Sequence, residues 1–269
     1  LNNMSTKNSH QSNSKKFFTR LLLLSLTCLA FIAYNIFGPM VSAPAEKYFY
    51  IKTGSDYEMV KQELKEKKIL PYTLFFDLLA EMFHYKNKVK PGKYEIYKNS
   101  SVLNLFRVLR SGRQKEVRLV INKCRTKEDF ASKLGSSFEV DSAEVIRFIT
   151  CNDSLRKYGL DTNTALTLVI PNSYMFWWNT SLPNIFKRLK TQHDYFWEGE
   201  RIEKAKLKGY TSEQIYTIAS IVEEETTKDE DKGKIASVYF NRLKKGMKLE
   251  ADPTVKYSMR DFMLKRILH

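Results

Sequence analysis

The sequence predicts an α+β protein with one N-terminal transmembrane helix, followed by two regions that mix helices and strands. Three observations support this prediction. A long uncharged stretch lies near the N-terminus, strand-like segments then alternate with helical periodicity, and 269 residues suffice for a membrane segment and two small domains. The predicted divisions are a disordered cytoplasmic tail at 1–16, a transmembrane helix at 17–41, and two domains at 46–115 and 116–269.

The apolar stretch Leu21–Ala45 contains 25 residues without a charge. As a helix it would reach about 37 Å, enough to cross the roughly 30 Å hydrocarbon core. Four basic residues and no acid precede it, so the positive-inside rule places the N-terminus in the cytoplasm and the bulk of the chain outside. A cleaved signal peptide is the alternative, since residues 41–45 resemble cleavage sites, but the long span and Pro44 favour an uncleaved anchor. The residues around Cys28 do not fit a lipoprotein motif.

Composition gives a strongly basic chain with a formal net charge of +15. The first forty residues contribute +4, which leaves 41 basic and 30 acidic residues, or +11. Residues 1–16 are rich in Asn, Ser and Lys, a composition typical of disorder. No nucleic-acid-binding motif is present and the anchor argues against such a role. The charge therefore indicates attraction to anionic cell-wall polymers and membrane lipid.

The region 46–115 reads as strand, two helices, strand, helix. A short strand at 48–52 precedes a helix that opens with a capping box of Ser55 and Glu58 and runs to about residue 67. A second helix is predicted at 71–83, a turn and strand at 90–96, and a last helix from Val102 to about residue 110, capped by Ser101 and closed by Gly112.

The region 116–269 begins with a strand at Val117–Ile121, followed by short helices up to Leu155. Cys124 and Cys151 both lie outside the membrane in the predicted topology, where an oxidising compartment would permit a disulfide. Free buried thiols are the alternative. The three Cys and four His show no metal-ligand spacing, so no metal is expected.

Three adjacent glutamates close a predicted helix that starts at Thr211, which forms a capping box with Gln214. The apolar stripe of this helix passes through Ile215, Ile218, Ala219 and Val222.

At 100° per residue, Glu225 falls inside the apolar arc, Glu223 falls at its edge, and Glu224 points to solvent. An acid on an apolar face has a raised pKa, as a general acid requires. The alternative is an ordinary solvated helix end, although carboxylates there are mildly unfavourable with the helix dipole.

The stretch from Ile218 to Tyr257 resembles the YceG-like (MltG) family of membrane-anchored endolytic murein transglycosylases. Several blocks in the same order carry the resemblance: ASIVEEET at 219–226, ASVYFNRL at 236–243, GMKL at 246–249, and DPTV at 252–255 with Tyr257. The resemblance implies that Glu225 is the catalytic residue. It also implies that the sugar's own C6 hydroxyl is the nucleophile, so that one acid suffices, no cofactor is needed, and the product ends in 1,6-anhydro-N-acetylmuramic acid.

Further residues are candidates for substrate binding. They are Glu223, Asn241, Asp252, Thr254, Tyr174 and Trp178. Each has a structural alternative. Asn241 is near a helix end, Gly246 is read as the stop of that helix, and the Asp-Pro-Thr segment at 252–254 is predicted to form a turn. Core packing would explain at least two of the four aromatic residues Tyr174, Phe176, Trp177 and Trp178.

The resemblance extends over roughly residues 20–269. It implies that 46–115 is a LysM-like module that docks on glycan, with a simple spacer as the alternative. The expected partners are nascent peptidoglycan strands, whose elongation the enzyme would terminate, the cytoplasmic membrane and peptidoglycan synthases. The family's Tyr-Asn-Thr-Tyr and Leu-Pro-Pro-Gly-Pro-Ile blocks are absent. We therefore expect either a fragment or a natural variant, and a non-catalytic glycan-binding scaffold is the alternative function.

Overall fold

The structure is a computed structural model that describes residues 5–264, with side chains described from residue 17. It has the mixed helix and strand content that the sequence predicts. The chain divides into two compact units. The first contains the residues up to Glu116 together with Trp177–Asn179, and the second contains Val117–Phe176 and the residues from Thr180 onward. The predicted division lies between residues 115 and 116.

Helix α1 (Ser5–Phe37) contains a segment, Phe17–Phe37, that is long and apolar enough to cross a membrane. The helix ends before the predicted limit of residue 41, because Gly38 and Pro39 do not continue a helix. It also begins earlier than expected, since residues 5–16, which the sequence predicts to be a disordered tail, are helical. Extending a helix that has already formed requires less free energy than nucleating a new one. Residues 1–4 of that tail lie outside the described residues.

The rest of the first unit follows the predicted order of elements. These are β1 (Tyr48–Ile51), α2 (Tyr57–Glu66), α3 (Leu74–Met82), a 3-10 turn (Tyr85–Asn87), β2 (Gly92–Glu95) and α4 (Val102–Ser111). The two strands are antiparallel, with Phe49 opposite Tyr94. Ser101 caps α4, and Gly112 ends it at φ 72°, as predicted. The cap of α2 is Asp56 rather than Ser55: its carboxylate accepts the N–H of Met59.

The core of the first unit is aromatic. The rings of Phe76, Tyr85 and Phe106 contact one another edge to face, with centroids 5.7–6.3 Å apart. Val41 joins this core at 2% exposure, and its N–H donates to Ser100 O at 3.0 Å. The segment after α1 is therefore part of the fold of the first unit.

The second unit has a two-stranded antiparallel sheet and eight helices among the described residues. In chain order they are β3 (Val117–Ile121), α5 (Lys127–Ser137), α6 (Ser142–Ile149), α7 (Asn152–Arg156), a 3-10 turn (Ala165–Leu168), β4 (Asn172–Phe176), α8 (Leu182–Trp197), α9 (Glu200–Leu207), α10 (Ser212–Glu225), α11 (Asp229–Lys244) and α12 (Asp252–Met259). Val117, Leu119 and Ile121 are buried at alternate positions of β3. Cys124 and Cys151 are free thiols, half-buried and exposed respectively, so the structure has neither the predicted disulfide nor two buried thiols.

Candidate active site

Helix α10 carries the three adjacent glutamates, and its start confirms the predicted capping box. The hydroxyl of Thr211 accepts the N–H of Gln214 at 3.3 Å, and the Gln214 side chain accepts the N–H of Thr211 at 2.9 Å. This reciprocal cap fixes the N-terminus of the helix. The glutamates consequently fall in its last turn, at the junction with α11.

A small apolar core holds α10, α11 and the start of α12 together. Its buried members are Ile218, Ile221, Val222, Tyr239 and Ala251. Partly buried side chains of Ile235, Ala236, Phe240 and Leu249 pack around them. We call these nine residues the α10–α12 core. The predicted inner face of α10 is confirmed at Ile218 and Val222, which this core buries, but Ile215 is only partly buried and Ala219 is exposed.

Glu225 is the last residue of α10 and is exposed. The Tyr239 hydroxyl, on α11, donates a hydrogen bond to Glu225 Oε1 at 2.7 Å. Tyr239 itself is 7% exposed and belongs to the α10–α12 core. Glu225 thus faces the side that the helical projection predicts, but the expected burial is wrong. The helix ends at this residue. Within residues 5–264, Tyr239 is the only side chain of the α10–α12 core that donates to the Glu225 carboxylate.

Glu224 does not point to free solvent, which corrects the sequence analysis. Arg125 binds its carboxylate through Nε and Nη2 at 3.1–3.3 Å, and Lys123 Nζ lies 2.5 Å from Oε1. Partial burial by itself raises the pKa of Glu224, but the hydrogen bonds and charges of these two cations outweigh it and lower the pKa. Glu224 therefore links the end of α10 to the segment between β3 and α5, in a role that is structural.

Glu223 lies at the rim of a shallow apolar groove between α10 and α11. Its carboxylate pairs with Lys232 Nζ at 2.7 Å, and the same ammonium contacts Asp229 at 2.8 Å. The groove has a volume of about 300 Å³, and its lining consists of Ile215, Ile218, Ala219, Val222, Glu223, Lys232, Ala236 and Phe240. Each of the three glutamates thus has a different partner: Lys232 for Glu223, two cations for Glu224, and Tyr239 for Glu225.

The loop after α11 brings the start of α12 toward Tyr239. Arg242 orders this loop, because its Nε donates to Lys248 O at 2.7 Å and its guanidinium pairs with Glu250. Burial raises the pKa of Tyr239, and the hydrogen bond to Glu225 and the negative charges of Glu225 and Asp252 raise it further. Tyr239 is therefore a protonated donor throughout the physiological pH range.

The Asp252-Pro253-Thr254 segment is the first turn of α12 rather than an isolated turn. Proline is favoured at the start of a helix, where its missing N–H is not needed. Asp252 and Thr254 are exposed, and the Thr254 hydroxyl donates to Ala251 O at 2.7 Å. Gly246, the predicted stop of α11, has φ 67° and lies two residues past the end of that helix.

Three candidate residues are not grouped with Glu225. Asn241 is exposed two residues after Tyr239, about 200° around the helix from it. Tyr174 is 3% exposed, and its hydroxyl donates to Ile170 O, so it fills the core beside β3. Trp178 belongs to the first unit, where its ring lies 4.9 Å from that of Tyr50.

The geometry therefore assembles one exposed carboxylate, a buried phenol that donates to it, and a second carboxylate, Asp252, close enough to affect the phenol. Within residues 5–264, no group of three or more His, Cys, Asp or Glu side chains comes together as a metal site. Sequence analysis missed the roles of Tyr239 and Arg125. Tyr239 lies inside the ASVYFNRL block, where its position 14 residues after Glu225 is the only signal that could have indicated the contact.

Comparison with known proteins points to one family. A family model described as the YceG-like family matches residues 49–269. A protein of Bacillus subtilis named endolytic murein transglycosylase is 44% identical over 80 residues, which is 30% of this chain and 22% of the relative. A protein of the same name from Streptococcus pneumoniae is 24% identical over 251 residues, which is 81% of this chain and 44% of the relative.

A solved structure has a similar fold. The crystal structure of a putative YceG-like protein from Listeria monocytogenes superposes with a TM-score of 0.53 at 21% identity, and the match covers 83% of this chain and 79% of that one. The chain spans less than half the length of the two curated relatives.

Proposed function

The chain belongs to the YceG-like family, and from this premise we propose that it is an endolytic peptidoglycan lytic transglycosylase with Glu225 as its acid. The observation that carries the proposal is the carboxylate of Glu225, exposed at the end of α10 and bound on one oxygen by the buried Tyr239 hydroxyl. Relatives that bear the name endolytic murein transglycosylase support the assignment of substrate and reaction.

The reaction needs one acid–base group. Protonated Glu225 gives its proton to the glycosidic oxygen between N-acetylmuramic acid and N-acetylglucosamine, and the bond from that oxygen to C1 of the muramic residue breaks. The C6 hydroxyl of the same muramic residue attacks C1, and its proton passes to the Glu225 carboxylate. The products are a 1,6-anhydro-N-acetylmuramic end and a free 4-hydroxyl on N-acetylglucosamine. No water enters the reaction, unlike glycoside hydrolysis with two carboxylates.

Neighbouring polar side chains are our candidates to bind the sugars on either side of the scissile bond. Glu223, at the rim of the groove, and Asp252 and Thr254, at the start of α12, are exposed and lie on elements that pack on α10 or belong to it. Asn241, which lies on another face of α11, would contact only a more distant sugar. Tyr174 and Trp178 have packing roles in the structure, so we assign them no subsite.

The remaining parts of the chain suit a reaction at the outer face of the cytoplasmic membrane. We propose that Phe17–Phe37 anchors the chain with its N-terminus in the cytoplasm, in line with the basic residues before it. Residues 46–115 would act as a LysM-like module that docks on nascent glycan strands, beside peptidoglycan synthases whose products the enzyme shortens. Glycan pull-down with the chain lacking 117–269 would test this docking role.

The test is digestion of purified peptidoglycan by the full chain in detergent, with muropeptides analysed by mass spectrometry. We expect 1,6-anhydro ends from the wild type and none from Glu225→Gln. Glu200→Gln is the matched control: it removes an exposed carboxylate of α9 that pairs with Lys204, outside the proposed site, and should retain the reaction. Equal background product from the wild type and Glu225→Gln would overturn the proposal and favour the alternative, a membrane-anchored glycan-binding scaffold without catalysis.

A further inference from the structure

The buried Tyr239 hydroxyl donates its hydrogen bond to an exposed side chain rather than to a backbone carbonyl. A tyrosine that is 7% exposed needs a partner for its hydroxyl, and a backbone carbonyl would serve. Tyr216, on α10, uses such a partner: its hydroxyl donates to Val169 O at 2.8 Å. Tyr239 instead donates to an exposed glutamate at the end of a neighbouring helix.

We propose that Tyr239 is a positioning residue, whose buried hydroxyl holds Glu225 Oε1 and leaves Oε2 to exchange the proton with the substrate. This inference rests on the proposed function for its consequence in catalysis, but the hydrogen bond can be tested without it. Among the described residues, Oε2 of Glu225 accepts no hydrogen bond. One oxygen is thus fixed and the other is available.

The fixed oxygen matters because Glu225 is a flexible side chain at a helix end. Ordering a glutamate side chain costs conformational entropy, and an exposed carboxylate would otherwise bear this cost when the substrate binds. Tyr239 is rigid by comparison, since its ring packs in the α10–α12 core with Ile221 and Val222. The core therefore orders the acid before the substrate arrives.

The charged groups around Tyr239 and Glu225 keep the Tyr239 hydroxyl protonated. Asp252, on α12, opposes ionisation of Tyr239 and keeps it a donor, whereas Arg242, on α11, has the opposite, smaller influence. On α10 itself, the neighbours Glu223 and Glu224 are paired with Lys232 and with Lys123 and Arg125. Among the described residues, the hydrogen bond from Tyr239 is therefore the contact that holds the Glu225 carboxylate.

The test is Tyr239→Phe, which keeps the ring and removes the hydroxyl. Loss of the donor should release the Glu225 carboxylate, so the Glu225 side chain should become more mobile. Its mobility is measured by NMR relaxation of the full chain labelled with ¹³C at glutamate, in detergent, and the Glu225→Gln spectrum assigns the signal. The matched control is Tyr216→Phe, which removes a partly buried hydroxyl from the same unit and should leave the mobility of Glu225 unchanged.

The catalytic consequence is measured with the same variants. Tyr239→Phe should lower kcat for anhydro-end formation about 10-fold and leave KM nearly unchanged, because the acid is less well positioned while the sugar contacts remain. Tyr216→Phe should alter thermal stability without changing kcat.

The outcomes separate the two proposals. Equal mobility of the Glu225 side chain in the wild type and Tyr239→Phe overturns the positioning role, whatever the activity. Higher mobility in Tyr239→Phe, with a wild type that makes no anhydro ends, supports the hydrogen bond and overturns the proposed function. Higher mobility with an unchanged kcat in an active enzyme overturns the claim that Tyr239 acts through the acid.

Discussion

Glu224 and Glu225 are adjacent, yet substitution by glutamine should affect a different property at each. At Glu225 it should abolish the reaction, and at Glu224 it should lower the stability of the fold. Glu224→Gln should destabilise the second unit, because it removes the charge that two cations bind. Arg125 holds the carboxylate in a fork at 3.1–3.3 Å and Lys123 lies 2.5 Å away, but the cation side chains are 42% and 46% exposed.

Exposed ion pairs contribute about 0.2–1 kcal/mol each, and the forked geometry favours the upper part of that range. Loss of both should therefore cost about 1 kcal/mol. In a unit of this size, that cost lowers the unfolding temperature by roughly 2–4 °C.

The effect should depend on pH in a defined direction. The pKa of Glu224 is lowered in the folded chain, so its contribution is fully present above the unfolded pKa of about 4.3 and is lost as the pH falls through the folded value. Differential scanning calorimetry of the full chain in detergent at pH 7 and at stepwise lower pH measures it. The gap between wild type and Glu224→Gln should be largest at pH 7 and should close in acid.

The control is Glu223→Gln, which loses one partly exposed lysine partner and should change stability by less than about 0.5 kcal/mol. An unchanged unfolding temperature for Glu224→Gln at pH 7 would refute the reasoning. A loss of the same size at pH 7 and in acid would also refute it, because the effect would then not arise from the charge.

Two further predictions concern the segment after α1 in the first unit and the cap of α10 in the second. A chain that begins at residue 46 loses buried Val41 and its hydrogen bonds with Ser100 and Asn99. Urea denaturation should show it to be about 2–3 kcal/mol less stable than a chain that begins at residue 39. Equal midpoints would contradict the place of Val41 in the core. Thr211→Ala removes one half of the capping box of α10 and should lower the free energy of unfolding by about 1 kcal/mol, measured by thermal denaturation. Thr211→Ser keeps a hydroxyl at this position and should retain the stability of the wild type. Equal stability of the two variants would show that the cap contributes nothing.

Sequence reasoning predicted well what is local. The cap at Thr211, the cap at Ser101 and the burial of Ile218 and Val222 on α10 all follow from side chains within a few positions of one another, and the structure contains each of them. The order of elements in 46–115 follows for the same reason. The limits of α1 and α2 were less accurate, since they depend on which residue ends or caps the helix.

The roles of the glutamates could not be predicted in the same way. Helical projection fixes the direction of Glu224, but Arg125, one of the two cations that bind it, is 99 residues away in the sequence. Tyr239 is only 14 residues from Glu225, yet its contact depends on how α11 packs back on α10. Burial of Glu225 was expected from the apolar arc, and the end of the helix at that residue prevents it.

The central claim is that Glu225 cleaves glycan by internal attack of a sugar hydroxyl, without water. The most direct measurement is digestion of peptidoglycan in ¹⁸O-labelled water by the wild type and Glu225→Gln, followed by mass spectrometry of the new muramic ends. The account predicts ends that are one water lighter than a hydrolysed end, free of ¹⁸O, and made only by the wild type. Ends that carry ¹⁸O, or anhydro ends made equally by Glu225→Gln, would contradict it.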